Sequence, residues 1–191
     1  MKKVLLLIAF LVVSCKNDEI NHPNILFIMS DDHTSQSWGI YGGILKDYVK
    51  NDGIKRLAKS GVVLENLFCT NAICVPSRAS ILTGQYSHVN GVYNLPDALD
   101  PDSLNVAKVL KNNGYQTSIV GKWHLKKEPS GFDYYKVLPG QGLYNDPYFK
   151  TKENWEDGSR GGEKEKGFSA DSIGDSSIEW LKKIDNKIPF F

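Results

Sequence analysis

Cysteine is scarce in this chain, with three among 191 residues. One of them, Cys15, closes an N-terminal leader, so Cys69 and Cys74 are the thiols left for the folded part. A single Cys69–Cys74 bridge is the one disulfide open to it, and exported proteins can form such bonds. An excess of either charge is also missing. Lys and Arg number 23 against 22 Asp and Glu, and the formal charge of +1 becomes −1 once Lys2 and Lys3 are removed with the leader. Without a basic stripe, nucleic acid is excluded as a partner. The apolar run 4–13 falls short of the ~20 residues that span a bilayer. No internal repeat is visible.

The leader has its own logic. Lys2 and Lys3 are followed by the apolar run, the small Ser14 and Cys15, the order of a bacterial export signal. Val12-Val13-Ser14-Cys15 resembles a lipobox, which implies a lipid on Cys15 and an exported protein anchored to a membrane, facing the periplasm or the cell surface. Ordinary cleavage near Ser14 is the alternative. Residues 16–22 read as a polar tether, and a folded domain is expected over 23–191.

Apolar stretches then alternate with amphipathic ones. Residues 24–30 form a short continuous apolar run, read as a buried strand, and 62–64 and 116–120 read as further strands. Helices are expected over 53–60, 77–82, 103–112 capped by Ser103, and 169–183 capped by a Ser or Asp. Strands alternating with helices predict an α/β fold with a mainly parallel sheet. Residues 128–168, rich in Gly, Pro, Tyr and charge, are expected to form a surface insertion. The apolar stretch 187–191 reads as the start of another strand, and the chain as the N-terminal part of a longer protein.

Three short constellations carry chemistry. In Cys74-Val75-Pro76-Ser77-Arg78, followed by Thr83-Gly84, a thiol sits at a helix start. Pro76 suits the first turn, Gly84 stops the helix, and free N–H groups with the helix dipole favour an anion there. Arg78, one turn on, can donate to the same anion through two N–H groups. A nucleophile beside an anion seat suggests a sulfate or phosphate ester; a buried structural cysteine is the plainer reading. Asp31 and Asp32 follow the first strand. Adjacent carboxylates repel unless a cation or a turn accommodates them, and oxygen-only ligation suits Ca²⁺ or, less well, Mg²⁺. A solvated turn is the alternative. Gly121-Lys122-Trp123-His124 follows the strand 116–120. In extended backbone Lys122 and His124 share a face, an ammonium to hold an ester oxygen and an imidazole to move a proton. A surface lysine beside a satisfied loop histidine is the plainer account. His33, beside the aspartates, and His88, past the Thr83-Gly84 turn, are left unassigned.

C-x-P-S-R followed by T-G resembles the signature of the formylglycine-dependent (type I) sulfatases. Asn24-Ile25-Leu26-Phe27-Ile28-Met29-Ser30-Asp31-Asp32-His33 resembles their opening, and G-K-W-H another of their motifs. The resemblance implies an alkaline-phosphatase-like α/β fold. It implies that Cys74 is oxidised to formylglycine by a formylglycine-generating or anaerobic sulfatase-maturing enzyme, and that the hydrated aldehyde attacks sulfur. It implies a Ca²⁺ ion on Asp31, Asp32 and the oxidised residue 74, charge stabilisation by Arg78 and Lys122, and a proton taken by His124 as sulfate leaves. Residues 126–134 and 138–142 are similar to a branch containing glucosamine-6-sulfatases, so a sulfated carbohydrate is the implied substrate. The rivals are a phosphatase or phosphodiesterase on the same fold, and a glycan-binding surface lipoprotein without catalysis.

Overall fold

Where a helix begins and ends in this chain is set by a few turn residues. The computed structural model describes residues 22–155 and 160–191, so the leader with Cys15 lies outside the described residues. Its α-helices are α1 (Asp52–Ser60), α2 (Cys74–Thr83), α3 (Ser87–Asn90), α4 (Val106–Asn112) and α5 (Ser169–Lys183). α2 ends where Gly84 enters left-handed backbone, φ 67°, and its N–H reaches the Ser80 carbonyl at 2.9 Å. Glycine takes that conformation without strain. α4 starts later than its periodicity predicts, because Asn105 rather than Ser103 caps it. Its Oδ1 accepts from the Lys108 N–H at 3.0 Å, while its Nδ2 donates to the Ser130 carbonyl at 3.1 Å. A buried amide that satisfies two chain segments outcompetes a hydroxyl that would satisfy one. α5 matches its expected span, but Phe168 precedes it and no side chain caps it.

The strands are β1 (Ser118–Lys122), β2 (Tyr134–Leu138), β3 (Tyr148–Phe149) and β4 (Glu163–Lys164). β1 and β2 pair in parallel, with Ser118 opposite Tyr134 and Lys122 opposite Leu138. β3 and β4 form an antiparallel pair. Backbone bonds extend this sheet on both sides: Val137 and Lys150 exchange antiparallel bonds at 2.9 and 2.8 Å beyond β2, and Gln116 and Ser118 bond residues 189–191 in parallel beyond β1. The apolar end 187–191 therefore does meet a strand edge. The core lies under this sheet. Val75 and Ala79 of α2, Ala107 of α4, Trp123, Leu125, Phe132, Tyr135 and Val137 pack together, all nearly water-free. Each Val, Leu or Phe among them contributes roughly 1.5–3 kcal/mol relative to exposure.

Three expectations are corrected. Residues 24–30 form no ladder: Ile25 N–H bonds the Phe190 carbonyl at 2.8 Å, and Leu26 through Met29 lie 41–75% exposed. Residues 62–64 form no strand and are also exposed. A buried parallel strand needs paired edges and covered faces, and the described residues provide neither at these places. Residues 128–168 are not a surface insertion throughout, because they contain β2 and contribute Phe132, Tyr135, Val137 and Phe149 to the buried interior.

Candidate active site

β1, α2 and the segment after the first apolar run deliver their charged residues to one place. Lys122 is the last residue of β1, Cys74 the first of α2, and Arg78 lies one turn further on. Lys122 Nζ lies 3.5 Å from Cys74 Sγ and 2.9 Å from Asp31 Oδ2. Arg78 Nη2 holds the same Oδ2 at 2.7 Å, and its Nη1 donates to the Lys122 carbonyl. Both cationic side chains are 13% exposed, so water screens them little. Burial alone would raise the Asp31 carboxyl, but hydrogen bonds and charge from Lys122 and Arg78 outweigh it and hold it below the usual carboxylate range. Cys74 and Cys69 are both free, so the disulfide alternative is not formed.

The turn after β1 differs from the extended path the alternation implies. Trp123 is buried, with its N–H on the Leu138 carbonyl at 3.0 Å and its ring Nε1 on the Lys127 carbonyl at 2.6 Å. That anchor forces His124 and Lys126 into left-handed backbone, φ 59° and 69°. Non-glycine residues in that region carry strain and concentrate at functional sites. His124 is nonetheless within the field of Lys122 and Arg78. Burial, then Lys126, Lys122 and Arg78, push its pKa down to about 4, so it is neutral at pH 7. His124 Nδ1 and Arg78 Nε are buried and have no hydrogen-bond partner among the described residues.

Asp32 is less engaged. It sits at φ 50°, exposed, with no hydrogen bond or ion pair among the described residues. Asp31 and Asp32 offer the hard oxygens that Ca²⁺ takes. Yet among the described residues no three acidic, His or Cys side chains come within reach of one ion, so Cys74 is not joined to the aspartates as a third donor. The Lys122 ammonium touches both Asp31 Oδ2 and Cys74 Sγ and so takes the place a shared cation would occupy. The donors present supply part of an oxygen shell and no more. His33 packs on Trp38 and His88 on Tyr86, rather than on this cluster. Sequence reasoning missed Gln141, whose Oε1 accepts from Lys122 Nζ at 2.6 Å. Its signal in the sequence is its place in the stretch 138–142 that resembles the glucosamine-6-sulfatase branch.

A helix start that holds a thiol, two cations and a carboxylate is the geometry expected of the signature motifs, and the sulfatase family model matches residues 23–191. The chain belongs to the sulfatase family. It is 41% identical over 190 residues to an N-acetylglucosamine-6-O-sulfatase of Bacteroides thetaiotaomicron, covering 96% of this chain and 32% of that protein. An ulvan-active sulfatase of Formosa agariphila is 33% identical over 167 residues, covering 78% of this chain and 32% of the relative. A structure solved in complex with its substrate D-glucosamine-2-N,6-O-disulfate superposes with a TM-score of 0.79 at 40% identity, over 88% of this chain and 33% of the other. The fold is thus the α/β, alkaline-phosphatase-like arrangement of that family. The chain spans about a third of the length of these relatives.

Proposed function

We propose that this chain carries the sulfate-binding half of the active site of a carbohydrate sulfatase, a sulfuric ester hydrolase. One observation supports this above the others: a single ammonium, Lys122 Nζ, touches both the Cys74 sulfur and the Asp31 carboxylate that Arg78 also holds. Cationic donors packed around a nucleophile's position suit an anionic ester, and fixed charge aimed at a developing negative charge is usually the largest catalytic contribution.

Cys74, oxidised by a maturing enzyme, is the proposed formylglycine, and Sγ marks where its oxygens would stand. That group supplies, once hydrated, an oxygen nucleophile and a route for releasing sulfate that a plain hydroxyl lacks. Arg78 and Lys122 bind and orient the ester's sulfate oxygens. His124, neutral and with Nδ1 unpartnered among the described residues, accepts a proton as sulfate departs. Asp31 and Asp32 would hold Ca²⁺, with the rest of its oxygen shell from outside the described residues. The likeness to the glucosamine-6-sulfatase of Bacteroides supports a 6-sulfated glucosamine unit as substrate. The leader supports export and a lipid anchor on Cys15.

The test is chemical. Protein coexpressed with a maturing enzyme should yield a Cys74 peptide that has lost one sulfur and two hydrogens and gained one oxygen. The protein expressed from its complete reading frame should turn over aryl sulfate in preference to aryl phosphate, and Cys74→Ala should abolish it. An unmodified thiol in active material refutes the mechanism.

A further inference from the structure

Gln141 belongs to none of the motifs read for chemistry, yet it reaches the centre of the site. Because β1 and β2 are parallel with Lys122 opposite Leu138, their carboxyl ends lie side by side. The chain leaving Leu138 turns through Pro139 and Gly140 and brings Gln141 back onto Lys122. Gly142 makes this turn feasible. It stands at φ 79°, and a Cβ there would lie 2.8 Å from Leu138 Cδ1. An ammonium has donors only, so the amide offers it the oxygen and turns its NH₂ away.

Gln141 is exposed, so its hydrogen bond adds little to fold stability and calls for another explanation. It also lines an open groove of about 320 Å³ with Pro139, Leu143, Tyr148 and Arg160. Small-molecule sites run from roughly 300 to 1,000 Å³, which places this groove at the size of a sugar unit. Lys122 has a flexible four-carbon stem, and Asp31 competes for its charge at 2.9 Å. A second carboxylate in place of the amide would neutralise the ammonium. A neutral amide oxygen instead fixes its direction and leaves its charge for an anion.

Resting on the sulfatase reading above, we infer that Gln141 is a positioning residue: its amide oxygen aims the Lys122 ammonium at the sulfate, beside a groove that receives the sugar. The experiment uses the protein from its complete reading frame, matured, as wild type, Gln141→Met and Gln141→Glu. Each is assayed on 4-nitrophenyl sulfate, which has no sugar, and on 6-sulfated glucosamine. In Gln141→Met, kcat should fall about 10- to 100-fold on both substrates, the size expected of a misplaced catalytic group. KM should change less than about threefold, separating aim from affinity. Gln141→Glu should be worse still, with KM raised on both substrates. Binding of inorganic sulfate, followed by calorimetry, reads the anion seat without turnover: within about threefold of wild type in Gln141→Met and lost in Gln141→Glu. Melting temperatures should stay within about 2 °C of wild type.

Aryl sulfate turnover at the wild-type rate in Gln141→Met overturns the inference. So does a rise in KM confined to the sugar, which makes Gln141 a substrate contact, or a Gln141→Glu protein indistinguishable from wild type. Sulfate binding that depends on Gln141 in a wild type without sulfate-ester turnover supports the positioning role and defeats the sulfatase reading. A wild type that binds no sulfate overturns both.

Discussion

The His124 imidazole is kept neutral by its surroundings, and that has a cost in acid. An ordinary histidine titrates at 6.5, whereas here burial and three nearby cations bring the value to about 4. Between those two values the unfolded chain binds a proton that the folded protein refuses, so stability declines as pH falls through that window and is unaffected above it. His124→Gln is neutral at every pH and removes this contribution. Wild type should therefore lose thermal stability from pH 6.5 to pH 4 more steeply than His124→Gln, by an amount worth roughly 3 kcal/mol at most. Parallel melting curves for the two proteins across that range would show that the imidazole is not protected. The residue's type and spacing are visible in G-K-W-H. Its left-handed backbone is not, because that follows from Trp123 being pinned to Leu138 and Lys127 across the turn.

At the scale of elements, Gly131 shows how tightly α4 is seated. A Cβ at this position, φ 90°, would lie 2.7 Å from the Lys108 N–H and 3.1 Å from the Asn105 Oδ1 that caps the helix. Gly131→Ala must both strain the backbone and push the cap aside, and should destabilise the protein by about 2 kcal/mol or more. Chemical denaturation measures this directly; an unchanged midpoint would mean that the loop moves away freely. Helices were legible where turn residues bracket them, as Pro76 in the first turn and the Gly84 stop do for α2. β2 was not legible. Its Tyr134-Tyr135-Lys136 start reads as polar loop, but the Lys136 ammonium is neutralised by Glu165 at 2.5 Å, donates to Ser176 of α5 at 3.0 Å and lies over the Phe149 ring. A charge satisfied by three distant partners cannot be told locally from one in water.

For the molecule as a whole, the apolar run 26–29 and residues 62–68 stand exposed, with Ile28 at 75% and Phe68 at 86%. Exposed apolar residues clustered this closely along the chain are unusual on a soluble monomer. This 191-residue chain, prepared by itself, should bind Nile red strongly, and Leu26→Ser with Ile28→Ser should reduce that signal while the helical circular dichroism is kept. Dye binding that the double substitution leaves unaltered would place the sticky surface elsewhere. The apolar character of both runs was plain in the sequence, whereas their burial was not, since burial depends on what lies across from them. The site fared better: Cys74 and Lys122 sit at an element's end, Arg78 one turn into α2, and the fold brings these three together with Asp31.

Arg78 grips Asp31 with one nitrogen and the Lys122 main chain with another, and so fastens three stretches of chain that are far apart in sequence. Such a rivet makes the charged seat indifferent to what connects its anchors. The connector 33–72 can lengthen, shorten or be exchanged without moving it. Diversification of the mouth for differently shaped ligands is then open to evolution, or to loop grafting, while the charged seat beneath stays fixed.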